Sequence, residues 1–299
     1  MPFLQTPFRV LRGLHARAPL LNPALKGRWF SAGSRLHKSS LPVLEFQPQG
    51  EVEHDLNTEG SFVPEPVIIV LQEWWGINEQ IKAHAQHLAN DTGAIAIVPD
   101  LYRGKQALDA AEAAHLRDEL DWPGAIDELS KLVKDLRKDG KRKIGSIGFC
   151  MGGALSLALA ASIGPTKNPG PLNACVSFYG IPPLSLIDIT PIPLYTPVQL
   201  HIGEKDNKKG FSDPETARAV QRKWEEVIRQ HGGRHAEGFH KLEASVFFYP
   251  GQGHAFMNDL PWSLQQRKEL GYEGGFDKDL VNLAWRRVTN FFIEHLKTL

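Results

Sequence analysis

An α/β fold with a mostly parallel central sheet and helices on both faces is what this 299-residue sequence predicts, and three observations predict it. From residue 67 onward, short runs rich in Val, Ile and Phe recur along the chain. They are near-continuously apolar rather than alternating, as strands are when both faces of a parallel sheet are covered. Helix-length segments separate most of them, the sequence form of right-handed βαβ crossovers.

Taken in order, "VIIVL" (67–71) is the first predicted strand and 79–91 the first helix. "AIAIV" (94–98) follows, then helical patterns at 107–119 and 124–138. "KIGSI" (143–147) leads into a helix of small and apolar residues at 151–163. "ACVSFY" (174–179) precedes the Pro-rich stretch 181–197, which reads as an extended loop because proline cannot donate to a ladder. "VQLHI" (198–202), a helix at 213–231, "SVFFY" (245–249), a loop at 271–279 and a helix at 279–297 complete the pattern. No composition shift divides residues 66–299, which are expected to form one domain, with 38–65 as a lead-in segment.

A hydrophobic content of 42% supports one sizeable core in a chain of this length. Basic and acidic residues balance at 34 each, so no basic surplus points to nucleic acid. Two cysteines, Cys150 and Cys175, make no disulfide framework and read as free thiols. No apolar run approaches the roughly 20 residues needed to cross a bilayer, so stable membrane insertion is not expected.

The neutral total conceals an N-terminal asymmetry. Residues 1–44 hold no Asp or Glu but carry Arg9, Arg12, Arg17, Lys26, Arg28, Arg35 and Lys38. Phe8, Leu11 and Leu14 recur at helical spacing among the arginines until Pro19. Such composition predicts a mitochondrial transit peptide over 1–37, with a cytoplasmic protein bearing a basic tail as the alternative. In "RWFSAGSRLHKSS" (28–40), Arg28 precedes a candidate cut after Phe30, with a second trimming site near His37. Removing residues 1–30 leaves 29 basic against 34 acidic side chains, a net charge of −5.

Cys150 lies between the strand at 143–147 and the helix at 151–163, with Gly148 and Gly152 two residues away on each side. A nucleophile at such a turn adopts strained backbone angles and crowds its neighbours, which glycine relieves. Gly148-Phe149-Cys150-Met151-Gly152 therefore reads as the nucleophile elbow of an α/β-hydrolase, with cysteine for serine. The positive end of the following helix favours thiolate there. The N–H of Met151 would face a developing oxyanion. Cys175, inside an apolar strand, reads as core.

In this fold the acid and the histidine follow the nucleophile in that order. Asp206, just past the strand at 198–202, is the first candidate acid, with Glu204 and Asp213 as rivals. His254, just past the strand at 245–249, is the candidate base. Glu73 and Trp74 follow the strand at 67–71, where the fold places its second oxyanion donor, and the N–H of Trp74 is the candidate. Glu73 near a thiolate would gate it, since two adjacent negative charges oppose each other. Arg103, past the strand at 94–98, is the candidate for pairing with Glu73 or with a substrate carboxylate. His231, His235 and His240 cluster without cysteines or a clear carboxylate set and read as a polar loop, so no metal is expected.

"QEWWGIN", "PDLYRGK", "DWPGAIDEL", "IGFCMGGALS", "GEKD" and "GHAFMND", in that order between residues 66 and 297, together resemble the dienelactone hydrolase (carboxymethylenebutenolidase) family. The resemblance implies a Cys-His-Asp triad at Cys150, His254 and Asp206, a controlling glutamate at Glu73, and an arginine near Arg103 that meets a substrate carboxylate. It implies no cofactor. Bacterial members acting on dienelactone carry a second arginine four residues after the histidine; here that position is Asn258. The expected activity is hydrolysis of a small-molecule ester or lactone through a thioester. An acyl-thioesterase and a non-catalytic binding protein on the same fold are the alternatives.

Overall fold

The computed structural model describes residues 28–30, 41–49, 65–231 and 243–296. Their centre is one eight-stranded sheet in the order β1-β2-β4-β3-β5-β6-β7-β8. The strands β3 (Val67–Leu71), β4 (Ile95–Pro99), β5 (Ile144–Phe149), β6 (Ala174–Phe178), β7 (Val198–Gly203) and β8 (Ala244–Tyr249) run parallel. These are the six predicted runs. Two short strands were not anticipated: β1 (Arg28–Phe30) and β2 (Val43–Phe46) extend one edge in antiparallel register. The candidate cut after Phe30 therefore falls at the end of the edge strand β1, and cleavage there would leave β2 outermost. The rest of the predicted transit peptide lies outside the described residues.

The apolar faces of the helices explain the layers. On one side α1 (Glu79–Thr92) and α7 (Lys278–Leu296) bury Ile81, Leu88, Val288 and Phe292 against alternate residues of the strands, such as Ile68 and Val70. On the other, α3 (Trp122–Lys138), α4 (Met151–Ser162) and α5 (Pro214–Gln230) bury Leu129, Leu155 and Trp224 against Val67, Ile69 and Leu71. The polar side chains Asn78, Asp121 and Asp213 start α1, α3 and α5 by accepting the N–H groups of Ile81, Gly124 and Thr216. The rival acid Asp213 is thus committed to a helix cap. Two shorter helices, α2 (Ala110–Asp118) and α6 (Pro261–Glu269), border the carboxyl end of the sheet, where the functional loops emerge.

Candidate active site

Cys150 turns the chain from β5 into α4 at φ 54° and ψ −117°, a conformation that L-residues avoid. Its flanking glycines are sterically obligatory. A Cβ on Gly148 would stand 1.9 Å from the carbonyl oxygen of Gly152, and one on Gly152 would stand 2.3 Å from that of Leu71. Positive φ recurs at Tyr179, just past β6, at Ala255, just past β8, and at Arg103, past β4. Each such residue costs about 1–3 kcal/mol and needs a rigid surrounding. The strain is thus concentrated at the carboxyl ends of the strands.

The loops bring Cys150, His254 and Asp206 into one hydrogen-bonded chain. Cys150 Sγ lies 3.1 Å from His254 Nε2, and His254 Nδ1 lies 2.7 Å from Asp206 Oδ2. His254 and Asp206 are buried, while the thiol is partly exposed. An acceptor at Nδ1 fixes the tautomer that leaves Nε2 facing the sulfur. Burial by itself would lower the His254 pKa, but the adjacent Cys150 and Asp206 raise it to about 10. Asp206 is itself held by the backbone N–H of Lys208 at 3.1 Å. Ser212, absent from the sequence-based expectations, places its fully buried Oγ 3.1 Å from the same Nδ1. Nothing in its local sequence marks it, because the loop after β7 delivers it from a distance.

Glu73 is buried beneath this chain and does not bond to the thiol. Its Oε2 accepts from Asn258 Nδ2 at 3.0 Å. Burial raises its pKa, partly opposed by Asn258, His254 and Arg267. Arg267, on α6, is also buried and interacts electrostatically with Glu73 and Tyr179. Asn258 thus meets Glu73 from the position that, by resemblance, an arginine would hold, and the cation of Arg267 approaches from α6 instead.

A cavity of about 490 Å³ opens on Cys150 and His254. Trp74, Trp122, Met151, Phe211 and Tyr272 form its walls. The two expected oxyanion donors, Trp74 and Met151, both border it. Arg103 does not. It pairs with Glu128 rather than Glu73 and borders a separate, more polar cavity. The arginine at the thiol's cavity is Arg117, from α2. His231 bonds back to the carbonyl of Val227 at the end of α5, while His235 and His240 lie outside the described residues. Among the described residues, Glu243, Glu294 and His295 place possible ligand atoms within 4.8 Å of one another, at the amino end of β8 and away from the cavity. No helix among the described residues is long and apolar enough to cross a membrane.

A profile of the dienelactone hydrolase family matches residues 56–296. An Aquifex aeolicus protein named provisionally as a carboxymethylenebutenolidase is 28% identical over 242 residues, covering 78% of this chain and 89% of that one. The carboxymethylenebutenolidase of Pseudomonas putida is 28% identical over 171 residues, covering 52% and 69%. Among solved structures, a dienelactone hydrolase-like promiscuous phosphotriesterase from metagenomic libraries superposes with a TM-score of 0.61 at 20% identity, covering 91% and 98%. A likeness at that identity speaks for the fold.

Proposed function

The chain belongs to the dienelactone hydrolase family, whose members cleave ester or lactone bonds, and from that premise we propose that it acts through a thioester on Cys150. The hydrogen-bonded chain Cys150–His254–Asp206 carries this reading. Cys150, as thiolate, attacks the carbonyl carbon, and the N–H groups of Met151 and Trp74 hold the oxygen as it becomes anionic. The carbon–oxygen bond to the leaving group breaks, and His254 gives that oxygen the proton from Nε2. Water then attacks the thioester; His254 takes its proton, and the sulfur departs as thiolate. Asp206 and Ser212 hold the ring throughout. Burial pushes Glu73 toward its neutral form and so opposes a second negative charge beside the thiolate, which is its proposed gating role.

Sulfur chemistry narrows the substrates. A tetrahedral intermediate on cysteine expels thiolate more readily than an ordinary alkoxide, so simple alkyl esters revert. Phenols and enols compete as leaving groups. Aryl esters and enol-lactones are therefore expected to turn over much faster than ethyl esters of the same acid. The test is intact-protein and peptide mass spectrometry after mixing with an aryl acetate. One acetyl group should accumulate on Cys150 and then disappear. Turnover that persists in Cys150→Ala, or acetylation confined to another residue, would overturn the mechanism.

We also propose a mitochondrial location, supported by the acid-free, arginine-bearing N-terminus. Residues 1–40 fused to a fluorescent reporter should carry it into mitochondria, and the mature protein should begin between Ser31 and Lys38. Cytosolic protein still starting at Met1 would remove this assignment.

A further inference from the structure

Pro183 borders two cavities. One is the cavity at Cys150; the other, of about 330 Å³, lies between the Pro-rich loop and α5. Ile181, Leu184 and Ile189 line the second from the loop, and Val220 and Trp224 line it from the helix. Its polar side chains are already bonded. Thr216 Oγ1 donates to Asp213 Oδ2 at 2.7 Å, Trp224 Nε1 donates to the carbonyl of Ile189 at 3.0 Å, and Thr190 bonds Asp188 through its side chain as well as its N–H. Among the described residues Lys223, itself exposed, is the one charged side chain on its wall. Proline needs no partner for an N–H and fixes φ, so Pro182 and Pro183 hold the loop side in place without adding polar demand. Leu184 stands 62% exposed at the lip, a large apolar side chain left to water. The two cavities adjoin. Pro183, on both walls, is exposed, and the loop after β7 also serves both, with Phe211 on the first and Gly210 on the second.

We propose that the second cavity is an acyl-chain subsite: the acyl part of the substrate is an unbranched aliphatic chain of medium length, joined at Cys150, that crosses Pro183 and lies along Ile189, Val220 and Trp224. This deepens the hydrolytic reading and rests on it. Sulfur chemistry puts the chain on the acyl side, because the leaving group must be a phenol or enol and departs before the thioester is hydrolysed. A wall whose polar side chains are already bonded offers nothing to a polar or charged tail, which would lose its water there. Each methylene seated against that wall leaves water with a gain instead. The medium length follows from the layout. A short acyl group such as acetyl stays within the cavity at Cys150, and a longer one passes Pro183 to find further apolar surface.

The test uses 4-nitrophenyl esters of straight-chain acids from acetate to octanoate. In the wild type, kcat/KM should rise with chain length, by about two- to fourfold for each methylene that reaches the second cavity. Ala219→Trp, on the α5 wall, should fill that cavity, and Leu184→Asp should charge its lip. In each variant, on protein whose circular dichroism matches the wild type, the octanoate-to-acetate ratio should fall by about tenfold. 4-Alkylphenyl acetates, which carry the chain on the leaving group, should show no such fall. A wild-type ratio near unity, a ratio unchanged in both variants, or a fall confined to the alkylphenyl series would overturn the subsite while leaving hydrolysis intact. So would a dimer in solution that Leu184→Asp splits, since a second copy would then occupy the cavity. Failure of the acetate ester to acetylate Cys150 at all would instead remove the hydrolytic reading, and the subsite with it.

Discussion

Two thiols on adjacent strands show what makes a cysteine reactive. Cys175 lies inside β6, fully buried opposite Ser146 of β5. Burial pushes its thiol up to about 11, despite contacts with Ser156 and Ser146. Its sulfur lies 3.4 Å from Ser156 Oγ and has no base beside it. Cys150 follows the last residue of the neighbouring strand, and one twist of the backbone to φ 54° carries it out of the sheet to His254. Residue type is the same in both; backbone conformation and the group opposite decide the chemistry.

The largest effect should come from removing the exposed member. Cys150→Ala should lower aryl-ester turnover by roughly 10⁴-fold or more, measured on protein whose circular dichroism matches the wild type. Equal losses in Cys150→Ala and Cys175→Ala would erase the contrast. Ser212→Ala sharpens it, by asking how much His254 depends on its second Nδ1 neighbour. One net hydrogen bond corresponds to a fall in kcat of roughly three- to tenfold with KM unchanged. Losing that acceptor destabilises the imidazolium, so the limb of the pH profile governed by His254 should move to lower pH. An unshifted limb would reduce Ser212 to packing.

Glu73 supplies a smaller effect with a definite sign. Its folded pKa is raised above its ordinary value, so its protonated form supports folding fully below about pH 4.5, and that support is lost as pH rises. Glu73→Gln should therefore gain stability relative to the wild type as pH increases above 4.5, with a slope of at most about 1.4 kcal/mol per pH unit. His254 is present in both proteins and largely cancels from the difference. Parallel urea midpoints across pH would show that Glu73 is already charged. The smallest effect belongs to Cys175→Ala, expected to cost about 1 kcal/mol with turnover retained.

The six parallel strands were legible because each is a continuous apolar run bounded by turn residues. β2 was not, since "VLEF" is short and carries Glu45 within it. Helix α6 escaped notice because "PWSLQQRKE" has little amphipathic contrast. At the site, Cys150, Asp206 and His254 could be named because chain order and strand ends locate them. Arg103 was misplaced because a sequence reveals which edge of the sheet a loop leaves from, not the side to which it turns. Ser212, Arg267, Arg117 and Lys208 reach the site through loop and helix packing that no local pattern encodes.

The contacts that make the site are also among the longest closures in the chain. Cys150 and His254 are separated by 104 residues, and Glu73 and Asn258 by 185. Such closures carry an entropic cost that is recovered only when the intervening strands have paired. Catalysis therefore reports the last stage of assembly rather than collapse or helix formation. During refolding from denaturant, helical signal should return before esterase activity, and a chain stopped short of β8 should show none. If the proposed mitochondrial import holds and the chain crosses unfolded, that ordering would keep the thiol without its base until the whole domain has arrived.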